Sequence, residues 1–285
     1  MDSKSYRLRE FINQADGRSL VVDASGGLAL GALPGFELIT SALEPFLPLI
    51  DGLVTSPGQA PRFIDLIRRS DAAEVPCRLS VPLLVRTDWT NAIRPKDFIL
   101  PPETIHRVLL LEPSQGLQLG ASALVLNFLL GYEETIEAGC LKDAVQLAIQ
   151  GSQIGIPLII DVQPLGPRIV LRNQAIALGV SYALEAGADG VVVPWVGLET
   201  LRVILAMAAG SPVWVKPVSV EVNLRNNTEE NIQYYVETLS LGVTGLWLDE
   251  NIFAMPDPVG TIQALVGIVH QGLHKLAQAG QDRGG

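Results

Sequence analysis

The chain is 285 residues long, 48% hydrophobic and only 18% charged, with a formal net charge of −10. That acidity works against a general electrostatic grip on nucleic acid or on an anionic membrane. No apolar run reaches the length of a membrane span, because Gly, Pro or charge interrupts each one. Cys77 and Cys140 have neither CxxC spacing nor a histidine cluster, which fits reduced structural thiols. Residues 1–14 lack the apolar core of a signal peptide. The composition therefore predicts a soluble, cytoplasmic protein, with enough buried surface to suit a homo-oligomer.

In chain order, residues 6–15 predict a helical lead-in that stops at the turn signal Asp16-Gly17, so that 1–18 precede the fold proper. Apolar runs at 19–24, 52–55, 81–87, 123–127, 157–162, 190–194, 213–216 and 245–248 predict eight strands. Helices are expected at about 37–47, 60–69, 133–154, 172–186, 198–209, 228–240 and 258–278, with a short one at 114–119. Residues 28–36 and 92–104 read as loops, 106–111 as a short extended piece, and 279–285 as a disordered tail. The clearest copy of the repeating unit is Leu184-Glu185-Ala186-Gly187-Ala188-Asp189-Gly190-Val191-Val192-Val193-Pro194-Trp195, a helix end, a glycine stop and a buried strand. Eight such units predict a single-domain (β/α)₈ TIM barrel spanning 1–285. The rival, a doubly wound sheet, usually carries a phosphate loop after the first strand. Ser25-Gly26-Gly27-Leu28-Ala29-Leu30-Gly31 matches neither GxGxxG nor GxxxxGK[ST], and no cofactor is expected.

In a barrel of this kind the active site lies at the C-terminal strand ends. Those ends read Asp23, Arg86 with Asp88, Asn127, Asp161, Val192 to Trp195, Lys216 and Asp249-Glu250-Asn251. Most of these apolar strands finish in an acid, a base or an amide. Each polar end also has a structural reading: Asp23 as a turn former, Asp88 as a cap or a partner of Arg86, Asp249 and Glu250 as loop acids. Of the five lysines, Lys216 alone sits in a predicted strand. A desolvated lysine there could serve as a neutral amine that attacks a carbonyl, whereas nearby carboxylates would favour the ammonium. The alternative is an internal ion pair with Asp161, Asp23 or Asp249. His106, His270 and His274 lie away from the mouth.

The chain resembles the class I aldolases of the archaeal fructose-bisphosphate type, a group that includes the autoinducer-processing thiolase and the aminodideoxyheptulosonate synthases. The resemblance covers about residues 6–255. It rests on Asp16-Gly17-Arg18-Ser19-Leu20-Val21-Val22-Asp23, the loop from Gly31 to Gly35, Gly120-Ala121-Ser122-Ala123-Leu124-Val125-Leu126-Asn127, Gly155-Ile156-Pro157-Leu158-Ile159-Ile160, Glu185-Ala186-Gly187-Ala188-Asp189 and Asn251-Ile252-Phe253. It implies a cytosolic (β/α)₈ barrel, often assembled into rings, and a Schiff-base lysine in the sixth strand. Here that position is Val192. The family's phosphate-holding glycines after the seventh strand and its Gly-Arg pair after the eighth are replaced by Lys216-Pro217-Val218-Ser219 and Leu248-Asp249-Glu250. Ala24 stands where relatives carry a histidine, and Val162 or Gln163 where they carry an aromatic residue.

These departures argue against a phosphosugar aldolase with the usual machinery. They leave a divergent aldolase-like lyase, a carbon–carbon lyase or related carbonyl enzyme acting on a small non-phosphorylated carbonyl substrate. Lys216 would be the displaced Schiff-base amine, and Asp23 and Asp161 would shuttle protons. Arg86, Asp88, Asn127, Trp195, Asp249 and Glu250 would contact substrate. The alternative is a non-catalytic barrel serving as a binding or assembly module. A divalent cation among Asp23, Asp161, Asp249 and Glu250 is a third option without legible ligand spacing; no metal is expected.

Overall fold

The computed structural model describes residues 2–31, 39–70, 81–217 and 229–281. The chain starts with α1 (Ser3–Leu8), β1 (Ser19–Asp23), the helical turn α2 (Gly27–Leu30) and α3 (Ile39–Leu43), which runs on as a 3₁₀ segment, Glu44–Leu49. Next come β2 (Gly52–Thr55), α4 (Ala60–Ser70), β3 (Leu83–Arg86), β4 (Asp88–Thr90), β5 (Arg107–Leu109) and α5 (Pro113–Gln118). The regular half follows: β6 (Ala121–Leu129), α6 (Glu134–Ile154), β7 (Leu158–Gln163), α7 (Arg172–Glu185), β8 (Gly190–Pro194), α8 (Leu198–Ala208) and β9 (Val213–Lys216). The described chain closes with α9 (Glu229–Ser240), β10 (Gly245–Leu248), a 3₁₀ turn at Glu250–Ala254 and α10 (Pro258–Gln281). Eight strands pair in parallel in the order β1-β10-β9-β8-β7-β6-β3-β2 and close on themselves, the expected (β/α)₈ barrel. The antiparallel pair β4–β5 stands outside it.

Glycine stops set the helix-to-strand rhythm. Gly187 ends α7 at φ 94°, a left-handed conformation that costs a glycine little, and Asp189 then re-enters the sheet through its N–H to Leu158 O (2.8 Å). Along each strand, side chains alternate between the helix layer and the barrel axis. Val191 and Val193 face the helices, while Val192 faces the axis with Val21, Val54, Leu84, Val125, Ile159, Trp214 and Trp247. Phe11 closes the N-terminal end, stacked on Trp214 at 5.8 Å, and Trp214 meets Trp247 edge-on at 5.9 Å. His270 ties α10 to the same end, with contacts of 2.8 Å to Asp16 and 2.9 Å to Asp51.

Several local expectations need correction. The lead-in helix is Ser3–Leu8 rather than 6–15: Asp2 caps it by accepting from Ser5 N at 2.7 Å, and the chain then leaves the helix to drop Phe11 into the barrel. Part of the loop expected at 28–36 is the turn Gly27–Leu30, with 32–38 outside the described residues. The helix expected at 37–47 gives way to a 3₁₀ segment because Pro48 supplies no N–H. Asp88–Thr90 leaves the β3 line to pair with Arg107–Leu109. Residues 279–281 of the expected tail belong to α10, and 282–285, like Cys77, lie outside the described residues. Cys140 is buried and unpaired with another cysteine.

Candidate active site

Two residues beyond the apolar axis residues, the same alternation brings polar side chains inward. On β1 the step is Val21 to Asp23, on β3 Leu84 to Arg86, on β6 Val125 to Asn127, on β7 Ile159 to Asp161 and on β9 Trp214 to Lys216. Sheet register sets them side by side: Asn127 lies opposite Asp161, Asp161 opposite Val192, and Pro194 opposite Lys216. Lys216 thus sits one inward step above Val192, on the neighbouring strand. Its amine points into the barrel.

Arg86 is the hub. Its Nη2 donates to Asp23 Oδ2, its Nη1 to Asn127 Oδ1 (3.0 Å) and Asp161 Oδ2 (3.3 Å), and its Nε to Ser25 Oγ (3.2 Å). Lys216 Nζ donates to Asp161 Oδ2 at 2.8 Å. Asp161 is wholly buried, and its second oxygen, Oδ1, has no hydrogen-bond partner among the described residues. Burial works to raise the Asp23 carboxyl, yet Arg86, Lys216 and the Ser25 hydrogen bonds outweigh it and hold Asp23 below the ordinary carboxylate value. Burial likewise opposes the Arg86 charge, and Asp23, Asp161 and Asp88 overcome it, so this guanidinium is held even more firmly charged than usual.

Asp88 has a supporting position. Its Oδ1 accepts from Asn127 N (3.0 Å) and Nδ2 (3.1 Å), and its Oδ2 accepts from Arg107 Nε (2.9 Å). Burial leaves its carboxyl above the ordinary value in spite of Arg107 and Arg86. Arg107, which the sequence did not single out, reaches on to Asp143 at 2.6 Å and fastens the β4–β5 pair to α6.

Above this network lies a cavity of about 230 Å³, a volume suited to a small metabolite. Its floor holds Asp23, Arg86, Asn127, Asp161 and Lys216; Asp249 and Glu250 form an acidic rim; Leu28, Leu30, Trp89 and Ile93 supply an apolar wall. Arg94 secures that wall by stacking over Trp89 and Phe98 and donating to Ala29 O at 2.9 Å. Glu250 is the rim residue with the most unusual chemistry. Desolvation, then the charges of Asp23 and Asp249, push its carboxyl up to about 7 against the pull of its own backbone N–H and Lys216. Asp249 is exposed, and its side chain caps the 3₁₀ turn by accepting from Asn251 N at 3.1 Å.

Of the residues expected at the mouth, Asp23, Arg86, Asp88, Asn127, Asp161, Lys216, Asp249 and Glu250 line this one cavity. Trp195 is the exception. Pro194 ends β8, Trp195 N donates to Lys216 O (3.1 Å), and the indole turns away to meet Tyr234 of α9 edge-on at 4.5 Å. Ser25, Gln163 and Trp89 also line the cavity, though the sequence did not propose them as site residues. Among the described residues no three His, Cys, Asp or Glu side chains converge to hold a metal ion, so the cation option has no ligand set there. His106 lies beside Thr104 in the excursion between β4 and β5, and His270 at the opposite barrel end. Chemically, the cavity offers one amine, a carboxylate that orients it, and a carboxyl that exchanges protons near neutrality.

No protein-family model matches the chain. It is 24% identical over 264 residues to the 3-hydroxy-5-phosphonooxypentane-2,4-dione thiolase of Salmonella paratyphi A, covering 93% of this chain and 81% of that one. The thiolase of the same name from Escherichia coli K12 is 23% identical over 264 residues, with the same shares covered. A crystal structure of an archaeal fructose 1,6-bisphosphate aldolase superposes with a TM-score of 0.72 at 19% identity, covering 95% of this chain and all of that one (100%). A second archaeal fructose-1,6-bisphosphate aldolase, solved with its catalytic lysine covalently bound to the carbinolamine intermediate of its substrate, gives 0.72 at 19% identity over 94% of this chain and 99% of that one. The sequence likeness to these thiolases and the barrel shared with the archaeal-type aldolases support a relation to the class I aldolase and autoinducer thiolase family.

Proposed function

We propose that the protein is an aldolase-like lyase in which Lys216, in place of an amine at position 192, forms a Schiff base with a small non-phosphorylated carbonyl compound. The observation that carries this reading is the position of the Lys216 amine. It faces the cavity and is held at 2.8 Å by the wholly buried Asp161. An amine fixed by a buried carboxylate in a small cavity has the orientation that addition to a carbonyl needs. Val192 is wholly buried among the axis side chains and offers no nucleophile. The family relation makes carbonyl chemistry the natural use of such a site.

Charge supports a substrate without phosphate. Arg86 is committed to Asp23, Asn127, Asp161 and Ser25, and the rim above it carries Asp249 and Glu250. Among the described residues, a dianion would meet carboxylates rather than a free guanidinium. In this reading Asp161 orients the amine, and Asp23, held ionised, keeps Arg86 in place. The test is borohydride reduction in the presence of a panel of short aldehydes and ketones, followed by peptide mass spectrometry. A reduced adduct on Lys216, lost in Lys216→Met, is the expected result; no adduct on Lys216 with any member sinks the reading.

A second reading is kept because the floor is self-neutralised: two cations, Arg86 and Lys216, face two carboxylates, Asp23 and Asp161. Such a set can serve purely as an internal brace for a binding or assembly module. Stability lost in Lys216→Met, with no adduct in the unaltered protein, is its signature.

A further inference from the structure

We propose that Glu250 is the catalytic acid–base of this site, carrying protons to and from the carbonyl oxygen while the Lys216 amine adds to it. The inference rests on the Lys216 reading and assigns to a different residue the proton traffic that addition requires.

The geometry is that of a carboxyl built into the cavity and left free of structural work. Glu250 is half-buried at the N-terminal start of the 3₁₀ turn after β10 and lines the cavity with Lys216 and Asp23. No side chain among the described residues hydrogen-bonds to its carboxylate, whereas Asp23, Asp88 and Asp161 all accept from arginine or lysine. The carboxylate lies directly against the α-carbon of Gly26: a β-carbon there would stand 2.4 Å from Glu250 Cδ and 2.5 and 2.7 Å from its two oxygens. Gly26 has an ordinary helical φ of −56°, so the glycine is needed for this space rather than for its backbone freedom. Among the described residues, the charged groups facing Glu250 are Asp23 from β1, Lys216 from β9 and its neighbour Asp249; α2 presents only Gly26, and Arg86 of β3 stands behind Asp23. The two acids outweigh the lysine, and the desolvated carboxyl titrates at about 7. A group poised there is equally able to take and to give a proton at neutral pH.

The step balances with Glu250 as the only carrier. Its carboxylate takes one proton from the Lys216 ammonium, and the freed amine adds to the carbonyl carbon while the C=O π pair moves to oxygen. Glu250 returns the proton to that oxygen, takes the next from the new N–H, and delivers it to the hydroxyl, which leaves as water. The ammonium and the carbonyl have become an iminium and one water, and Glu250 ends as it began.

The probe is acetaldehyde with cyanoborohydride, and the readout is the rate of Lys216 alkylation by peptide mass spectrometry from pH 5 to 9. The unaltered protein should show a limb in its rate profile near pH 7. Glu250→Gln should slow labelling at pH 7 by about 100-fold, as loss of a positioned acid–base does, and abolish that limb. Gly26→Ala keeps the carboxyl but displaces it, so it should also slow labelling strongly while the melting temperature stays unchanged. Glu250→Asp should recover part of the rate. Rates and pH profiles of Glu250→Gln and Gly26→Ala within twofold of the unaltered protein overturn the Glu250 assignment alone. Absence of any Lys216 adduct in the unaltered protein overturns both this assignment and the Schiff-base reading.

Discussion

The barrel interior consists of two layers built from the same strands and opposite in chemistry. Towards the N-terminal end, Val21, Val54, Leu84, Ile159, Val192, Trp214 and Trp247 pack with Phe11 into a dry plug. Two residues further along the strands, Asp23, Arg86, Asp161 and Lys216 form an ionic network open to a cavity. The plug gains its stability from contact and from apolar area removed from water, which any well-fitting shape supplies. The network gains little from burying charges, because desolvation offsets much of the attraction; its members are stable only together. The lower layer therefore holds the wall, and the upper layer holds the polar groups of the candidate site at some cost.

Two substitutions should separate the layers most sharply. Phe11→Ala removes a wholly buried ring and should cost about 3–5 kcal/mol in chemical denaturation, with little dependence on pH. Arg86→Met should cost a similar ~3–5 kcal/mol at pH 7, because it strands Asp23 and Asp161 without their shared partner. That second loss should shrink as acid protonates the stranded carboxyls. Equal pH dependence for the two variants would erase the distinction between plug and network.

Glu250 gives a smaller effect of opposite sign. Its folded-state value, about 7, lies above the ordinary 4.5, so the folded protein favours the protonated form. Stability from this group is greatest below pH 4.5 and is lost as pH rises through about 7. Glu250→Gln removes that loss and should stabilise the protein above pH 7 by at most about 3 kcal/mol, the gain vanishing towards pH 5. Thermal melts of both proteins across pH 5–9 check it. A Glu250→Gln protein less stable at pH 8 would show that the carboxylate has a structural partner.

The smallest effect lies outside both layers, at the closed end. Burial disfavours the His270 imidazolium, but Asp51 and Asp16 reverse this and raise its pKa above 6.5. The clamp therefore stabilises fully below pH 6.5 and fades as pH rises through the raised value. His270→Gln should lose about 1 kcal/mol at pH 5.5 and almost nothing at pH 9, read from urea midpoints.

The strands were legible in the sequence as short apolar runs closed by Gly, Pro or a polar residue, and the barrel followed from their number. The layers were harder to read, since both strand faces are buried: Val191, Val192 and Val193 are all wholly inaccessible, although only Val192 faces the axis. Period-two alternation disappears under those conditions. The polar strand ends stood out as positions, but not as partners. Arg86 reaches back 63 residues to Asp23 and forward 75 to Asp161, distances that only sheet register resolves. Gly26 stood out only as part of a stretch that matches no phosphate-loop motif, because the close approach of the Glu250 carboxylate exists only in three dimensions. Trp195 follows directly on β8, but its ring packs edge-on against Tyr234 outside the cavity, a direction that strand position alone does not give.

If Lys216, the strand-borne lysine, is the nucleophile, site mapping under limiting reagent should single it out. With substoichiometric aldehyde and cyanoborohydride at pH 7, Lys216 should carry most of the label over Lys4, Lys96, Lys142 and Lys275. It should also lose that preference in the Glu250→Gln protein. Label spread over the other lysines with Lys216 unmodified would rule out Lys216 as the nucleophile and leave the network as a structural brace.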